Sequence, residues 1–299
     1  MSSRVVVLML LLAACGDDGG DAFPDGPPVP DAPPDQTIDA DTSGCTTVEE
    51  FGDARGLVFA GDGTLYFSRG TAIGRVRPCQ EPEYPWVTVG VTALNSLMVD
   101  PPNHALYVSA LNANMIYKID LTVATPTSEP YAAVTGPEGL TLGPDGALWS
   151  TTSDSVVRID AANSATVVIK TALNNPKGLA FRADGSLLVM EYSGQIFAFG
   201  IENNVESSHT VFAADNGAFG GIIGIALDAA GNVFITEGDG GPFMVVLDPT
   251  GAVIDTSEDG LGNQLDFGAG PIRHTDLYVG GAGLVPRTVA GAAVPWHAL

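Results

Sequence analysis

The stretch GPEGLTLGPDGALW, residues 136–149, contains an apolar run, a Pro-Asp-Gly corner and a second apolar run. An Asp-Gly pair supplies the positive φ angles that tight β-hairpins prefer, so the stretch predicts two short antiparallel strands joined by a tight turn. The same pattern returns about every 40 residues along the chain. The repeat glycine or its equivalent lies at Gly56, Ser96, Gly139, Gly178, Gly224 and, in a degraded sixth copy, near Gly268.

Each repeat continues with a third apolar strand and a more variable fourth, for example VVRIDA at 156–161 and ATVVIKTAL at 165–173. No segment shows a sustained helical period. Four strands at this spacing are typical of a propeller blade, whose two faces are buried only when blades stack around an axis. The sequence therefore predicts an all-β protein, with a six-bladed β-propeller of four-stranded antiparallel blades over residues 45–299.

A propeller needs a strand that closes the ring. CTTVEEF, residues 45–51, precedes the first blade, and we expect it to supply the outer strand of the last blade. Closure by AAVPWHAL, residues 292–299, is the alternative. If residues 45–51 close the ring, Cys45 lies near Cys79 at the seam, and an exported chain permits one disulfide between them.

Residues 1–15 are predicted to be a lipoprotein signal peptide. Arg4 precedes an apolar run from Val5 to Ala14 that is too short to span a bilayer. The end of this segment, LAAC, resembles a bacterial lipobox, which implies that Cys15 is lipidated and anchors the protein to a membrane. An ordinary secretory leader that ends in Cys is the alternative. We expect an exported protein anchored to the bacterial cell envelope, with the outer membrane or cell surface favoured.

The segment that follows, residues 16–44, is rich in Asp and Pro and has no Lys or Arg. Charge repulsion and proline predict an extended, disordered linker there. The whole chain carries a formal net charge of −23. Such a charge repels phosphate backbones, so we expect no nucleic-acid partner.

The repeats resemble those of six-bladed propellers of the NHL-repeat, regucalcin/gluconolactonase and streptogramin-lyase kind. The segment GPEGLTLGPDGALWSTTSDSVVRID, residues 136–160, looks most like a streptogramin-lyase repeat. NSLMVDPPNHALYVS, residues 95–109, looks more like the gluconolactonase pattern. These motifs are glycines, Asp-Gly corners and apolar alternation, so the resemblance implies a fold, and activity must be argued from a site.

In gluconolactonase-like propellers, Glu, Asn and Asp side chains directly before the repeat glycines hold a central divalent cation. Here the corresponding residues are Arg55, Asn95, Glu138, Lys177, Ile223 and, loosely, Asp266. Asn95 and Glu138 could bind a hard cation through oxygen. Arg55 and Lys177 oppose a bound dication. We therefore expect no cofactor, and a divalent cation at Asn95 and Glu138 is the alternative.

Streptogramin-lyase-like enzymes use His and Glu near the same face of the propeller. Glu191 and Glu237 match a Glu that commonly ends the second strand of those repeats. However, none of the four histidines can be placed beside them as a base. The chain also lacks a Gly-x-Ser-x-Gly elbow and a phosphate-cradling glycine loop. The sequence therefore identifies no catalytic residue.

We expect Arg55, Asn95, Glu138 and Lys177 to line the mouth of the channel, with Glu191 and Glu237 as further ligand-binding candidates. Ion pairs between Glu138 and Lys177 or Arg55 would merely satisfy buried charge. The alternative is a recognition surface for a polar small molecule, a glycan or a protein. The functional hypothesis is a non-catalytic binding or scaffolding module at the cell envelope. A metal-dependent sugar-lactone hydrolase, or a streptogramin-lyase-like enzyme with an atypical site, is the alternative.

Overall fold

The computed structural model describes residues 54–169, 171–214, 220–238, 244–257, 262–267, 276–281 and 285–288. Over these residues the chain forms β-strands and one short 3-10 helix, Leu111–Ala113. The strands make five four-stranded antiparallel sheets and one three-stranded sheet. The expectation of an all-β chain with four-stranded blades is confirmed.

Each four-stranded sheet is a blade built from consecutive strands in chain order. Blade 1 contains β1 (Leu57–Phe59), β2 (Leu65–Arg69), β3 (Ala72–Val76) and β4 (Glu83–Thr88). Blade 2 contains β5 (Leu94–Asp100), β6 (Ala105–Ala110), β7 (Met115–Asp120) and β8 (Ser128–Ala133). Blade 3 contains β9 (Leu140–Leu142), β10 (Leu148–Thr151), β11 (Val156–Ile159) and β12 (Ala165–Ile169).

The remaining sheets follow the same order. Blade 4 contains β13 (Pro176–Phe181), β14 (Leu187–Glu191), β15 (Ile196–Glu202) and β16 (Val205–Ala213). Blade 5 contains β17 (Ile222–Leu227), β18 (Val233–Glu237), β19 (Met244–Leu247) and β20 (Val253–Ser257). The three-stranded sheet contains β21 (Gly262–Phe267), β22 (Asp276–Gly281) and β23 (Val285–Thr288).

The first strands of the six sheets pack side by side in a ring, in the order β1, β5, β9, β13, β17 and β21, and β21 returns to β1. They therefore surround an axis, and the chain is a β-propeller. Two bonds join the three-stranded sheet to blade 1. The Gln264 N–H donates to the Arg55 carbonyl at 3.3 Å, and Asp266 Oδ2 accepts the Phe59 N–H at 2.8 Å.

The prediction of six four-stranded blades is wrong in its count, because the structure shows five. The sixth sheet has three strands among the residues that the structure describes. Both segments considered for ring closure, residues 45–51 and 292–299, lie outside those residues. Which segment closes the ring therefore stays a prediction.

The Asp-Gly pairs lie in the tight turns between first and second strands. In blade 3, Asp145 Oδ1 accepts the Ala147 N–H at 3.2 Å, and Gly146 has a φ of +79°. In blade 4, Asp184 Oδ1 accepts the Ser186 N–H at 2.9 Å. Donation from the Ser186 hydroxyl also lowers the pKa of the Asp184 carboxyl. The Asp side chain thus caps the turn, and glycine supplies the left-handed backbone that other residues rarely adopt.

The hydrophobic core lies between adjacent blades. Trp149 of blade 3 meets Phe181 of blade 4 edge to face, with ring centroids 5.1 Å apart. Phe234 of blade 5 meets Phe267 of the three-stranded sheet in the same way at 5.3 Å. All four rings are buried. Apolar alternation along each strand therefore buries both faces of a blade, one against each neighbour.

A buried hydroxyl at the end of a second strand joins neighbouring blades; we call this contact the interblade hydroxyl bridge. Thr151 Oγ1 accepts the Gly139 N–H at 2.8 Å and donates to the Lys177 carbonyl of blade 4 at 2.7 Å. Ser109 Oγ accepts the Ser96 N–H at 2.9 Å and donates to the Glu138 carbonyl of blade 3 at 2.7 Å. The bridge therefore fixes the backbone directly before the repeat glycines Gly139 and Gly178.

The equivalent positions of other sheets differ. Ser68 of blade 1 accepts the Gly56 N–H at 2.8 Å and donates to the Leu94 carbonyl of blade 2 at 3.1 Å. Blade 4 has Met190 where the hydroxyl would lie, and the three-stranded sheet has Gly280, as the strand register shows. At Gly280, the direct bond from Gln264 to Arg55 spans the junction instead.

Replacing Thr151 by Val removes the bridge between blades 3 and 4 with little change in shape. Thr151 is fully buried, so the Gly139 N–H and the Lys177 carbonyl lose a partner that water cannot replace. We expect the free energy of unfolding to fall by about 1–3 kcal/mol, measured by urea denaturation of the purified chain.

The matched control is Thr151→Ser, which keeps the hydroxyl and loses only a methyl group. Its loss of stability should stay below about 1 kcal/mol. Equal stability of the Val and Ser variants would contradict a stabilising role for the bridge.

Candidate axial binding site

The four residues predicted at the mouth of the channel surround one pocket of about 220 Å³. We call this pocket the axial mouth. It lies where the first strands begin, so the residue before each repeat position projects toward the axis. Its described lining consists of Arg55, Asn95, Leu111, Glu138, Gly139, Lys177, Tyr192, Ile223 and Gln264.

Both carboxylate oxygens of Glu138 bind neighbouring side chains. Lys177 Nζ lies 2.6 Å from Oε1, and Asn95 Nδ2 donates to Oε2 at 2.7 Å. The side chains of Lys177 and Glu138 are only 15% and 14% exposed. Of the two ion pairs considered from the sequence, the structure forms the one between Glu138 and Lys177.

Lys177 makes a second contact at the mouth. Its ammonium lies 5.6 Å from the centroid of the Tyr192 ring, within the range of a cation–π interaction. The Lys177 carbonyl is held by the interblade hydroxyl bridge from Thr151. Both the backbone and the side chain of Lys177 are thus held in place.

Arg55 shares the pocket but stands outside this group. Its main-chain N–H donates to the Ser68 carbonyl at 3.0 Å, which fixes where the side chain leaves the strand. The side chain is exposed. Within the described part of the chain, its guanidinium makes no hydrogen bond or ion pair. The pair between Glu138 and Arg55 is therefore not formed.

The structure places Glu191 and Glu237 outside the axial mouth. Glu191 is 6% exposed, and its Oε1 accepts the Asn174 N–H at 2.7 Å. Glu237 is 1% exposed, and its Oε1 accepts the Gly220 N–H at 3.1 Å. Each carboxylate holds the segment that leads into the first strand of its own blade. The assignment of both residues to ligand binding stays a prediction.

The sixth repeat has a different register from the one expected. Leu265 pairs with Val279 as Leu57 pairs with Phe67, so Gln264 takes the place of the repeat glycine. Asp266, expected near the mouth, instead lines the channel further along the axis. A spacing of about 40 residues from Gly224 would have found Gln264. No comparable signal in the sequence points to Tyr192 or Leu111.

The axial mouth does not suit a divalent cation. Ca²⁺ takes six to eight oxygen ligands, whereas Glu138 already binds an ammonium and an amide through its two oxygens. Among the described residues, no group of three or more His, Cys, Asp or Glu side chains could hold a metal ion. Both carboxylate oxygens of Glu138 are therefore occupied by protein groups, one by the Lys177 ammonium and the other by the Asn95 amide.

The predicted covalent features fall largely outside the described residues. Cys15 and Cys45 lie outside the described residues. Lipidation of Cys15 and a disulfide between Cys45 and Cys79 therefore stay predictions. No helix in the described part of the chain is long and apolar enough to cross a membrane.

No family model matches the chain, and no curated protein matches it. Several solved structures share its fold. A gluconolactonase from Xanthomonas campestris is 20% identical, with a TM-score of 0.63 over 79% of this chain and 86% of that one. Virginiamycin B lyase from Staphylococcus aureus is 15% identical, with a TM-score of 0.57 over 81% of this chain and 88% of that one.

The calcium-binding protein regucalcin from Agrobacterium tumefaciens is 12% identical, with a TM-score of 0.64 over 82% of this chain and 94% of that one. At these identities the likeness shows the β-propeller fold alone. The expectation of a gluconolactonase-like and streptogramin-lyase-like propeller fold is confirmed at that level.

Lys177→Met tests the ion pair at the mouth. The variant keeps most of the side-chain volume but leaves the half-buried Glu138 carboxylate with the Asn95 amide alone. Removing one partner costs about 0–1 kcal/mol for an exposed pair and about 3–5 kcal/mol for a buried one. We expect an intermediate loss of about 1–3 kcal/mol in the free energy of unfolding, measured by urea denaturation.

The double variant Lys177→Met with Glu138→Gln is the control, because it contains no unpaired charge. It should be more stable than the sum of the two single changes implies, by about 0.5–3 kcal/mol. Strict additivity would show that the pair contributes nothing.

Proposed function

We propose that this propeller is a non-catalytic binding module, with the axial mouth as its ligand site. The observation that supports this is the occupancy of Glu138 by Lys177 and Asn95, at 2.6 and 2.7 Å. It is the one carboxylate among the described lining residues. A carboxylate bound in this way is free neither to ligate a metal nor to accept a proton from a substrate. The ligand is a polar small molecule, a glycan or a protein segment.

We propose further that the three-stranded sheet is a sixth blade, completed by residues 45–51. Its first strand occupies the sixth place in the ring, and Gln264 binds Arg55 of blade 1 across the junction. A disulfide between Cys45 and Cys79 would tie such a closing strand to blade 1. The residues before Cys15 would be removed, and Cys15 would carry the lipid. Residues 16–44 would then tether the propeller to the membrane.

The second candidate function is a metal-dependent hydrolase or lyase, such as a sugar-lactone hydrolase. Two observations favour it. The structures of similar fold include a gluconolactonase and a calcium-binding regucalcin. This chain also retains Asn95 and Glu138 at neighbouring starts of first strands.

Thermal unfolding distinguishes these two candidates. The purified chain is melted in EDTA and then with millimolar Ca²⁺, Mn²⁺ or Zn²⁺. We expect no change in the melting temperature, because Lys177 occupies the carboxylate that a cation would need. A site filled at a hundred times its dissociation constant would add about 2.7 kcal/mol. A rise that Asn95→Ala abolishes, together with hydrolysis of a sugar lactone, would support the second candidate instead.

Phase partition tests the membrane anchor. Expressed in a bacterium with lipoprotein processing, the full chain should enter the detergent phase of Triton X-114, because acyl chains bury their methylene groups there. The Cys15→Ser variant should stay in the aqueous phase. Recovery of the unsubstituted chain in the aqueous phase would contradict lipidation at Cys15.

A further inference from the structure

We propose that the axial mouth binds the carboxylate of a small organic acid through the Arg55 guanidinium. This inference rests on the proposed function, because it requires a mouth that holds a ligand without a metal ion. It adds the chemical class of the ligand and the residue that recognises it.

Among the residues that the structure describes, Arg55 has no counter-ion at the mouth. Arg75 lies 3.0 Å from Glu83, and Arg158 lies 2.6 Å from Asp145. Arg69 also lacks an ion pair among the described residues, but its guanidinium lies over the Tyr84 ring, 5.4 Å from the centroid. The chain has 35 Asp and Glu against 12 Lys and Arg. An arginine that lines a pocket and has no ion pair with the described residues of so acidic a chain is positioned for a negative group from outside.

The charges at the mouth favour a monoanion. Lys177 is neutralised by Glu138 at 2.6 Å, so Arg55 leaves the described lining with one net positive charge. Arginine presents a planar set of N–H groups that matches a carboxylate through two parallel hydrogen bonds. A phosphate group carries about −1.5 to −2 near neutral pH, which exceeds this charge.

The walls of the mouth favour an acid with an apolar body. Leu111, Ile223 and the ring of Tyr192 line it together with the polar residues. Its volume of about 220 Å³ is below the ~300–1,000 Å³ of pockets for drug-sized ligands. Gln264 also lines the mouth, and its amide can donate to or accept from a second polar group of the ligand.

Isothermal titration calorimetry with benzoate tests the inference. Benzoate combines a carboxylate with a flat apolar body, and benzamide is the uncharged analogue of nearly equal shape. The purified full chain is titrated in EDTA. We expect saturable binding of benzoate, and binding of benzamide at least about tenfold weaker, because only the carboxylate neutralises Arg55.

The variant Arg55→Gln should weaken benzoate binding by about tenfold to a hundredfold. The control is Arg77→Gln, which removes the same charge. Arg77 directly follows β3, whose last residue, Val76, pairs with Leu65. This pairing lies at one end of blade 1, and the bond from the Arg55 N–H to the Ser68 carbonyl lies at the other end. Its loss should leave benzoate affinity unchanged.

Three results in EDTA would overturn this inference and leave the binding-module proposal standing. They are no saturable binding of benzoate, equal affinity in Arg55→Gln, and inorganic phosphate binding as tightly as benzoate. Benzoate binding that appears only after Ca²⁺ is added would instead overturn the proposed function, because a metal ion would then hold the carboxylate.

Discussion

The interblade hydroxyl bridge is the interaction on which the rest of the ring depends. One buried side chain, Thr151, satisfies a donor in its own blade and an acceptor in the next. For this to happen, the first strands of blades 3 and 4 must approach until no side chain fits between them. A β-carbon on Gly139 would lie 2.4 Å from the Lys177 carbonyl oxygen. The repeat glycines, the hydroxyls and the spacing of the first strands are thus consequences of the same contact.

The same constraint positions the axial mouth. The carbonyls of Glu138 and Lys177 are held by Ser109 and Thr151, so their side chains leave neighbouring strands at equivalent heights. A carboxylate and an ammonium placed in this way meet at 2.6 Å without a contribution from long loops. Strand backbone positions a group more reproducibly than a surface loop does. The electrostatic character of the mouth follows from backbone geometry.

The hairpins, the ring of first strands and the four mouth residues could be predicted from the sequence, because strand alternation and glycine spacing are local signals. The sixth repeat could not, because Gln264 replaces the glycine and hides the register. A carboxylate at a strand end has the same sequence signal whether it faces a ligand or a backbone amide, so the sequence alone does not predict the contact of Glu191 with the Asn174 N–H. Tyr192 lies in the loop after β14 and lines the mouth. The sequences of these loops do not repeat from blade to blade, so no pattern predicts its position.

The hydroxyl bridge uses the main-chain carbonyls of Glu138 and Lys177 and makes no demand on their side chains. Selection for a sound ring therefore acts on the glycines and hydroxyls, while the residues between them can diverge. Asn95, Glu138 and Lys177, whose carbonyls accept such hydroxyls, show how varied these positions become within a single chain. A lineage can change what its propeller recognises by single substitutions at the axis, and a designer can vary the same positions as a library on an unchanged scaffold.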